Sequence, residues 1–418
     1  MQIAFVTPRF PFPTTKGDKL RAYHEIRRLS RRHAITLVAG ADEPVDEAAL
    51  DALRPYCERI VVVPVGGWRS IVPIVANGLT ARLPLQALFY DTKSMRRAVR
   101  DTLASKSFDV IHASTIRVAP HVWDVSGAPV VIDLVDTVSR GLALRRETVG
   151  APLRLAYDWE RRRLRDYELA ACRRFSRLIV CAEADRAALG SENVVVIRTC
   201  ADLDQFSFVR EGRADDLVVM TGNMGYPPNV DAAVWFSRHV WPLVRAAHPA
   251  ARFQIVGTRP AAAVRALGAQ PGIEVVGAVP EIAPYLQRAS LAISPMRGGS
   301  GMQTKALESM ATGTPLVITS FANEGVGAIA GRHALIADQP GAFGRAVLDL
   351  LGRPELRESL AEAAHEYVSR EFSWDRHVER LEEVYAEAIS QPGAGPAGLE
   401  PRSSGAREPS LGLGDLGI

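Results

Sequence analysis

Residues 294–315 read SPMRGGSGMQTKALESMATGTP, which is typical of a strand end, a glycine turn, a helix, a glycine stop and a new strand. The apolar run 290–294 leads into this stretch, and the apolar run 315–319 follows the glycine stop. Two strands joined by a helix predict a parallel βαβ unit, because parallel neighbours need a long crossover connection. The stretch therefore predicts a protein of the α/β class.

The same alternation occupies most of the chain, in two successive series. Each predicted strand is a near-continuous apolar run, as expected for a strand that is buried on both faces. The predicted strands of the first series are 2–7, 35–39, 59–63, 109–113, 129–134, 177–181 and 194–197. Those of the second series are 216–221, 252–257, 273–276, 290–294 and 315–319, with predicted helices at 228–247, 260–267, 281–288 and 302–312.

The two series predict two doubly wound, Rossmann-like domains that face one another. A polar connection divides them, so we expect a first domain at 1–198, a linker at 199–215 and a second domain at 216–372. Ligands of such domains bind outside the carboxyl ends of the strands, which makes the cleft between the domains the expected site. Residues 391–418 are rich in Gly, Pro and Ser, and we expect them to be disordered.

Composition and charge exclude several classes of protein. The chain has 418 residues, of which 47% are hydrophobic and 23% charged, and its net charge of +3 does not by itself indicate nucleic-acid binding. Four scattered cysteines favour reduced thiols over a disulfide framework or a zinc site. No secretory leader and no apolar run of about 18 residues is evident, so we expect a cytoplasmic protein or one attached to the inner face of the membrane.

Two segments raise the question of contact with lipid. Residues 140–177 contain eleven arginines against five acidic residues. This pattern is compatible with a solvated helix face, or with a surface for anionic lipid or a phosphate-bearing acceptor. The apolar stretch 68–90 leaves similar alternatives, which are contact with lipid and packing on its own domain.

Several common catalytic motifs are absent from the sequence. It contains no phosphate-binding loop of the G-x-x-x-x-G-K-[ST] type, no G-x-S-x-G elbow and no H-E-x-x-H helix. The first predicted strand is followed by residues 8–13, PRFPFP, and not by G-x-G-x-x-G. This pattern argues against a dinucleotide-dependent enzyme.

The glycine turn before the predicted helix 302–312 is typical of a phosphate-binding site. Bare backbone N–H groups at such a turn can approach an anion, and the helix dipole favours negative charge there. Gly301, Lys305 and Glu308 follow the i, i+4, i+7 spacing and should share one helix face. The lysine could then neutralise a diphosphate while the carboxylate accepts hydrogen bonds from a ribose. The alternative is a surface ion pair between Lys305 and Glu308.

This segment resembles the donor-binding signature of the retaining, family-four glycosyltransferases, whose helix ends in Glu-Ala-Met-Ala-x-Gly-x-Pro-Val. Here residues 308–316 read ESMATGTPL. The resemblance extends to segments in both predicted domains, at 108–113, 197–206, 277–289 and 372–374. More narrowly, residues 11–13, 16–21 and 222–232 resemble an exopolysaccharide- or exosortase-associated sugar transferase branch of that family.

The resemblance implies a GT-B fold, with a closing helix at 373–390 that packs back toward the first domain. It implies metal-independent, retaining transfer of a sugar from a nucleotide diphosphate sugar to a glycan, lipid-linked or small-molecule acceptor. The setting would be polysaccharide or glycoconjugate biosynthesis, with no cofactor, no metal and no nucleic-acid partner. The implied reaction centre contains Lys305, Glu308 and Arg297, with Asp136 either positioning the acceptor or capping the backbone. The other implied donor contacts are Gly17, Asn223, Gly277, Val279, Gly299, Ser300, Gly301, Met302, Gln303 and Thr304.

The sequence departs from the family pattern in three places. Ser300 stands where the family commonly has an acidic residue, eight positions before Glu308. Residues 223–229 contain no basic residue, although the family has an Arg and Lys pair there. The first-domain histidine is missing, with residues 133–136 in its neighbourhood. Two alternatives therefore stay open, a nucleotide-sugar epimerase of the same fold and a catalytically silent partner that binds a nucleotide sugar.

Overall fold

The chain folds around two parallel β-sheets. A computed structural model describes residues 1–14, 16–66, 74, 83–146, 150–299 and 302–391, with only the backbone of 144, 145, 151 and 152. The first sheet contains β1 (Gln2–Thr7), β2 (Ala34–Ala41), β3 (Arg59–Pro64), β4 (Val110–Ser114), β5 (Val130–Val135), β6 (Arg177–Val180) and β7 (Val194–Val196). The second contains β8 (Leu217–Thr221), β9 (Arg252–Val256), β10 (Ile273–Gly277), β11 (Leu291–Ser294), β12 (Leu316–Ile318) and β13 (Leu335–Ile336).

The helices connect these strands and follow them. In the first half they are α1 (Gly17–Leu29), α2 (Glu47–Asp51), α3 (Leu85–Tyr90), α4 (Lys93–Ser105), α5 (Ala119–Val122), α6 (Val138–Arg146), α7 (Ala151–Arg174) and α8 (Glu183–Leu189). The second half begins with α9 (Pro227–Trp235), which runs through a π-helical segment (Phe236–Val240) into α10 (Trp241–Ala247). The remaining helices are α11 (Ala262–Arg265), α12 (Ala283–Arg288), α13 (Thr304–Ala311), α14 (Ser320–Asn323), α15 (Pro340–Gly352), α16 (Pro354–Glu371) and α17 (Trp374–Ser390).

Both sheets have the doubly wound strand order. The first is ordered β3-β2-β1-β4-β5-β6-β7 and the second β10-β9-β8-β11-β12-β13, and neighbouring strands pair in parallel. The predicted strands are all present, with ends within two residues of the predicted positions. The prediction missed β13, because a strand of two residues is too short to show an apolar pattern. The strand order reverses between β1 and β4 and between β8 and β11. The carboxyl ends of the strands at these points are the expected ligand side.

The glycine stop after α13 has a steric reason. Gly313 has a φ of +70°, which is the left-handed region where a side chain is strained. A Cβ atom at this position would also come within 2.3 Å of the Phe208 ring. The ring of Phe208 therefore packs directly on the end of α13, and only glycine fits at position 313.

The last helix, α17, packs on the first sheet although it follows the second in sequence. Val378, Leu381 and Val384 join the apolar cluster that covers one face of β1 and β2. Ser373 caps the helix by accepting a hydrogen bond from the Asp375 N–H. We call α17 the closing helix, because its contacts hold the end of the chain against the first sheet.

A buried polar network joins the closing helix to the first sheet. Arg21 on α1 donates from Nε to Asp133 Oδ2 at 2.5 Å, and its Nε lies 3.2 Å from Glu25 Oε1. The same Glu25 oxygen lies 2.8 Å from Nε2 of His377 on the closing helix. Tyr385 on that helix bonds to His112 Nδ1 at 2.8 Å, so His112 is the core histidine that its apolar strand predicts. The network contains one permanent cation and two carboxyl groups.

The carboxyl edges of the two sheets face each other. Arg140 lies on α6, directly after β5, and its Nη2 contacts Glu324 Oε2 at 3.2 Å. Glu324 follows α14, which itself follows β12 of the second sheet. This contact crosses the cleft in which the sequence predicts a ligand.

The arginine-rich region is only partly available to an external ligand. Among the described residues, seven of its arginines bond to named groups of the protein itself and Arg154 also has a partner; the seven are Arg140, Arg146, Arg161, Arg163, Arg165, Arg174 and Arg177. Arg162 is exposed on α7. The charge offered to an anion is therefore smaller than the number of arginines indicates.

The two lipid-related predictions meet different outcomes. Most of the apolar stretch 68–90 lies outside the described residues, but Ala87, Leu88 and Tyr90 are buried and pack on their own domain. No described helix combines the length and apolarity that crossing a bilayer requires.

The four cysteines are free thiols, as the spacing predicts. The predicted disordered tail, 392–418, lies outside the described residues.

Candidate donor site

The carboxyl edge of the second sheet is built from backbone in close contact. A Cβ atom on Gly257, after β9, would lie 1.7 Å from the carbonyl oxygen of Gly222, after β8. Both glycines also have positive φ angles, +149° and +144°. Two loops can therefore cross here without side chains between them, which brings the residues after β8 next to α13.

The predicted glycine turn and helix occupy this edge. The turn follows β11, and Gly299 has a φ of +131° and approaches the ring atoms of Pro228. The helix begins at Thr304, two residues later than predicted, after Gln303, and no side chain caps its first turn. Thr304 and Ala306 donate their N–H groups to the carbonyl oxygens of Met302 and Gln303 at 3.0 Å and 2.9 Å, so only the other N–H groups of this turn remain available to an anion. The predicted contacts Ser300 and Gly301 lie outside the described residues.

Lys305 lies in the first turn of α13 and is held by neutral groups. Its Nζ donates to Asn229 Oδ1 at 2.6 Å and to Gln303 Oε1 at 3.1 Å. Burial lowers the pKa of the ammonium to about 8, against the opposing effect of Glu308. Among the described residues, no carboxylate lies within 4.0 Å of this nitrogen, so Lys305 and Glu308 form no close ion pair, although the charge of each shifts the pKa of the other.

Glu308 lies one turn further along α13, on the same side as Lys305. Burial raises the pKa of its carboxyl group to about 7, and the neighbouring Lys305 charge opposes that effect. A carboxyl group with such a pKa is partly protonated near neutrality and is sensitive to any cation or hydroxyl brought near it. The pair Lys305 and Glu308 thus combines a cation close to the helix start with an acceptor behind it.

Arg297 is placed differently from Lys305. It extends from the turn and makes a two-pronged ion pair with Asp231, with its Nη2 at 2.6 Å and its Nε at 3.1 Å from the two carboxylate oxygens. Its guanidinium also lies 5.6 Å from the centre of the Trp235 ring. The sequence predicts that the positive charge of Arg297 neutralises a diphosphate, but in this structure that charge is paired with Asp231.

The other predicted donor contacts lie around the same edge or across from it. Asn223 is exposed after β8, and Gly277 and Val279 follow β10. A Cβ atom on Gly277 would meet no atom within 4 Å, so its surroundings are open. Met302 and Thr304 are half-buried at the start of α13.

Gly17 and Asp136 lie on the first-sheet side. Gly17 begins α1, and a Cβ atom there would meet nothing within 4 Å. Asp18 lies in the first turn of this helix and bonds to Arg9 at 2.8 Å, while Lys16 takes the cap position. Asp136 is half-buried after β5, and its N–H bonds to the Leu134 carbonyl at 2.8 Å.

One group of side chains has the composition of a metal site. Glu25, His112 and Asp133 offer ligand atoms that lie within 4.8 Å of one another. The Arg21 guanidinium already lies between the two carboxyl groups of this set, at 2.5 Å from Asp133. The Arg21 guanidinium is therefore the cation at this group, and a metal ion would have to displace it.

Sequence reasoning missed the role of Asn229. The absence of basic residues at 223–229 is clear from the sequence, but the contact between Asn229 and Lys305 joins residues 76 positions apart. The one available signal is the pair of prolines before it, which predicts a helix start and places Asn229 in the first turn.

The family match covers this part of the chain. Residues 215–353 match the sequence profile of the family described as "Glycosyl transferases group 1". The match includes the glycine turn, Asn229, Lys305 and Glu308. Over residues 215–353 the chain is thus similar to the group 1 glycosyltransferases, in agreement with the resemblance predicted from the sequence. The narrower exopolysaccharide- or exosortase-associated branch stays a prediction.

The relatives found by sequence comparison are distant. A D-inositol 3-phosphate glycosyltransferase of Corynebacterium urealyticum is 34% identical over 101 residues, which is 24% of each chain. An uncharacterized 44.6 kDa protein in the cps region of Klebsiella pneumoniae is 20% identical over 83% of this chain and 90% of its own length. The chain thus spans about a quarter of the first relative and most of the second.

Solved structures share the whole architecture. Sucrose-phosphate synthase from Thermosynechococcus elongatus superposes with a TM-score of 0.69 at 15% identity, covering 93% of this chain and all of the other. HepE of Anabaena in complex with UDP-glucose gives a TM-score of 0.64 at 15% identity, covering 92% and 99%. The fold of this chain is GT-B, as the sequence predicts.

Proposed function

We propose that this chain transfers a sugar, with retention of configuration, from a nucleotide diphosphate sugar to a glycan, lipid-linked or small-molecule acceptor. One observation carries the proposal, which is the Lys305 ammonium held by two amide oxygens at an uncapped helix start, with no carboxylate within 4.0 Å in the described chain. The Glu308 charge acts on this ammonium without contacting it, and a diphosphate would supply a counter-ion in direct contact. The two lobes are proposed at 1–198 and 216–372, joined by 199–215.

The proposed chemistry is electrostatic and needs no metal. The bond between the anomeric carbon and the diphosphate breaks, and the acceptor oxygen takes the diphosphate's place on the same face of the sugar. Negative charge grows on the leaving diphosphate, and donors arranged in advance stabilise such charge most effectively. Lys305 and the turn at Gly299 supply these donors. Arg297 would contribute only after leaving Asp231, at a cost of about 0–1 kcal/mol for an exposed pair.

The remaining residues have supporting roles in the proposal. Glu308 accepts hydrogen bonds from the ribose, and Asn223, Gly277 and Val279 flank the base. Gly17 leaves room on the opposite wall for the donor or acceptor. Asp136, at the carboxyl edge of the first sheet, positions the acceptor hydroxyl or takes its proton.

The proposed setting is polysaccharide or glycoconjugate synthesis at the cytoplasmic face of the membrane. A relative over most of the chain is a protein in a cps region, and HepE binds UDP-glucose, which together support a sugar-nucleotide donor in such a process. UDP-glucose is therefore the first donor to test.

Peripheral contact with an anionic membrane is proposed through the tip of the α6–α7 hairpin. Leu153, Leu155 and Trp159 are 55%, 75% and 36% exposed within seven residues of α7, and Arg162 lies on the same helix. Apolar side chains beside an exposed arginine suit the boundary between headgroups and acyl chains. Co-sedimentation with phosphatidylglycerol vesicles should be lost in Leu155→Asp. The same change at Leu243, 48% exposed on α10, is the control and should leave it intact.

The enzyme assignment is tested with donors and acceptors separately. Thermal-shift screening against uridine, guanosine, adenosine and thymidine diphosphate sugars identifies the donor, and product analysis follows with and without acceptor. We expect sugar transfer only when acceptor is present, and none in Glu308→Ala. Conversion of donor without acceptor would instead establish an epimerase. Binding with no turnover under any acceptor would establish a silent nucleotide-sugar partner, which the serine at position 300 favours.

A further inference from the structure

Asn229 uses both ends of its amide at the donor site. It lies in the first turn of α9, and its side chain is buried. Its Nδ2 donates to the Asn223 carbonyl oxygen at 2.9 Å, and its Oδ1 accepts from Lys305 Nζ at 2.6 Å. A carbonyl only accepts and an ammonium only donates, so both partners require the same orientation of the amide.

The space beside the contact between Asn229 and Lys305 is too small for a side chain at position 222. A Cβ atom on Gly222 would lie 3.0 Å from Asn229 Nδ2 and 3.5 Å from Lys305 Cε. A side chain at position 222 would therefore push the amide and the lysine apart. The hydrogen bonds of Asn229 therefore connect the loop after β8, the first turn of α9 and the first turn of α13.

The ammonium retains capacity for another acceptor. Its further contacts are Gln303 Oε1 at 3.1 Å and Met296 Sδ at 3.5 Å, and a thioether sulfur is a weak acceptor. Two neutral amides thus fix the direction of the ammonium without cancelling its charge. A carboxylate in place of either amide would form an ion pair and compete with an incoming diphosphate.

We propose that Asn229 is a positioning residue that holds the Lys305 ammonium, uncompensated, toward the donor diphosphate. It replaces in part the cationic pair that residues 223–229 lack, because it directs a lysine from another helix to the same place. The inference rests on the proposed function for its ligand, but the geometry of the lysine can be tested without any ligand.

The sharpest variant is Asn229→Asp, which exchanges an NH2 group for an oxygen and adds one negative charge. We expect UDP to bind about tenfold more weakly, or worse, because the carboxylate neutralises Lys305. Binding of uridine, which has no phosphate, should stay within about twofold, as measured by ligand-observed NMR. The control is Asn323→Asp, since Asn323 also uses both ends of its amide, toward the Ala328 backbone, and does not contact Lys305. It should leave both ligands unaffected.

A ligand-free measurement separates this inference from the proposed function. The pH dependence of acylation of Lys305 by acetic anhydride, followed by mass spectrometry, should shift to higher pH in Asn229→Asp but not in Asn323→Asp. In the described part of the chain, the charge that acts on Lys305 is that of Glu308, and Asn229, Gln303 and Met296 face the ammonium as neutral groups. Should Asn229→Asp not fold, Asn229→Ala removes the acceptor alone and should weaken UDP but not uridine.

Two results would overturn the inference. One is an unchanged acylation profile together with UDP affinity within about twofold of the parent chain. The other is an equal loss of UDP and uridine, which would mean that Asn229 only supports the loop. If the parent chain binds no nucleoside diphosphate sugar at all, the proposed function fails, while the acylation profile still decides whether Asn229 controls the lysine.

Discussion

Replacing Glu25 by Gln should remove a pH dependence from the docking of the closing helix. His377 Nδ1 faces the Arg198 carbonyl at 2.8 Å and must carry a proton there. Its Nε2 then faces Glu25 Oε1 at 2.8 Å, a contact that requires a second proton between the two groups. Burial lowers the pKa of His377 to about 3, so the proton belongs to Glu25. A neutral Glu25 also leaves Arg21 balanced by Asp133 alone.

The magnitude follows from the pKa of Glu25. Burial raises it from 4.5 to about 7, against the opposing charge of Arg21. The folded chain therefore holds this proton over a pH range in which the unfolded chain has lost it. Stability is fully present below about pH 4.5 and declines as pH rises to about 7, by about 3 kcal/mol in total at 1.36 kcal/mol per pKa unit. A glutamine donates to His377 at every pH, so Glu25→Gln should not show this decline.

Hydrogen exchange of the amides of the closing helix is the appropriate assay, because a two-domain chain does not unfold in one step. After correction for intrinsic rates, protection of residues 374–390 should fall between pH 5 and 8 in the parent chain and stay level in Glu25→Gln. Glu383→Gln, an exposed change on the same helix, is the control and should behave as the parent. Equal pH dependence in the parent and Glu25→Gln would refute the reasoning, as would severe destabilisation of Glu25→Gln at pH 5.

Two further predictions concern the donor site and the helix that carries it. Binding of UDP-glucose should be strongest between about pH 7 and 8, because Glu308 gains its charge near 7 and Lys305 loses its charge near 8. Glu308→Gln should abolish the weakening of binding on the acid side. A flat calorimetric profile from about pH 6 to 9 would contradict this prediction. Gly313→Ala should destabilise the second domain by about 2–4 kcal/mol, from left-handed strain and overpacking on Phe208. Urea denaturation measures that change, with Gly352→Ala, which meets no atom within 4 Å, as a control that should be near neutral.

Much of the fold was predictable because the strands are buried on both faces. Runs such as 109–113 and 290–294 are apolar except at His112 and at their end positions, and their spacing by helical segments determines a parallel arrangement. The start of α13 was predicted two residues early. Residues 302 and 303 continue the helical pattern, but the backbone straightens to join the turn.

The contacts within the site were less accessible to sequence reasoning. Lys305 and Glu308 follow from helical spacing, which is a local property. The engagement of Arg297 by Asp231, and of Lys305 by Asn229, depends on how α9 packs beside the turn, and no local pattern encodes that distance. The same holds for His377 and Glu25, which lie 352 residues apart and meet only because the closing helix returns to the first sheet.

Calorimetric binding of UDP-glucose to Lys305→Met tests the central claim most directly. Methionine keeps much of the length of the side chain and removes only the charge and its hydrogen bonds. The loss of charge-assisted bonds of about 1.5–3 kcal/mol predicts binding weakened by about ten- to a hundredfold, with the fold intact by circular dichroism. Affinity within about twofold of the parent chain would contradict the claim that this ammonium binds the diphosphate.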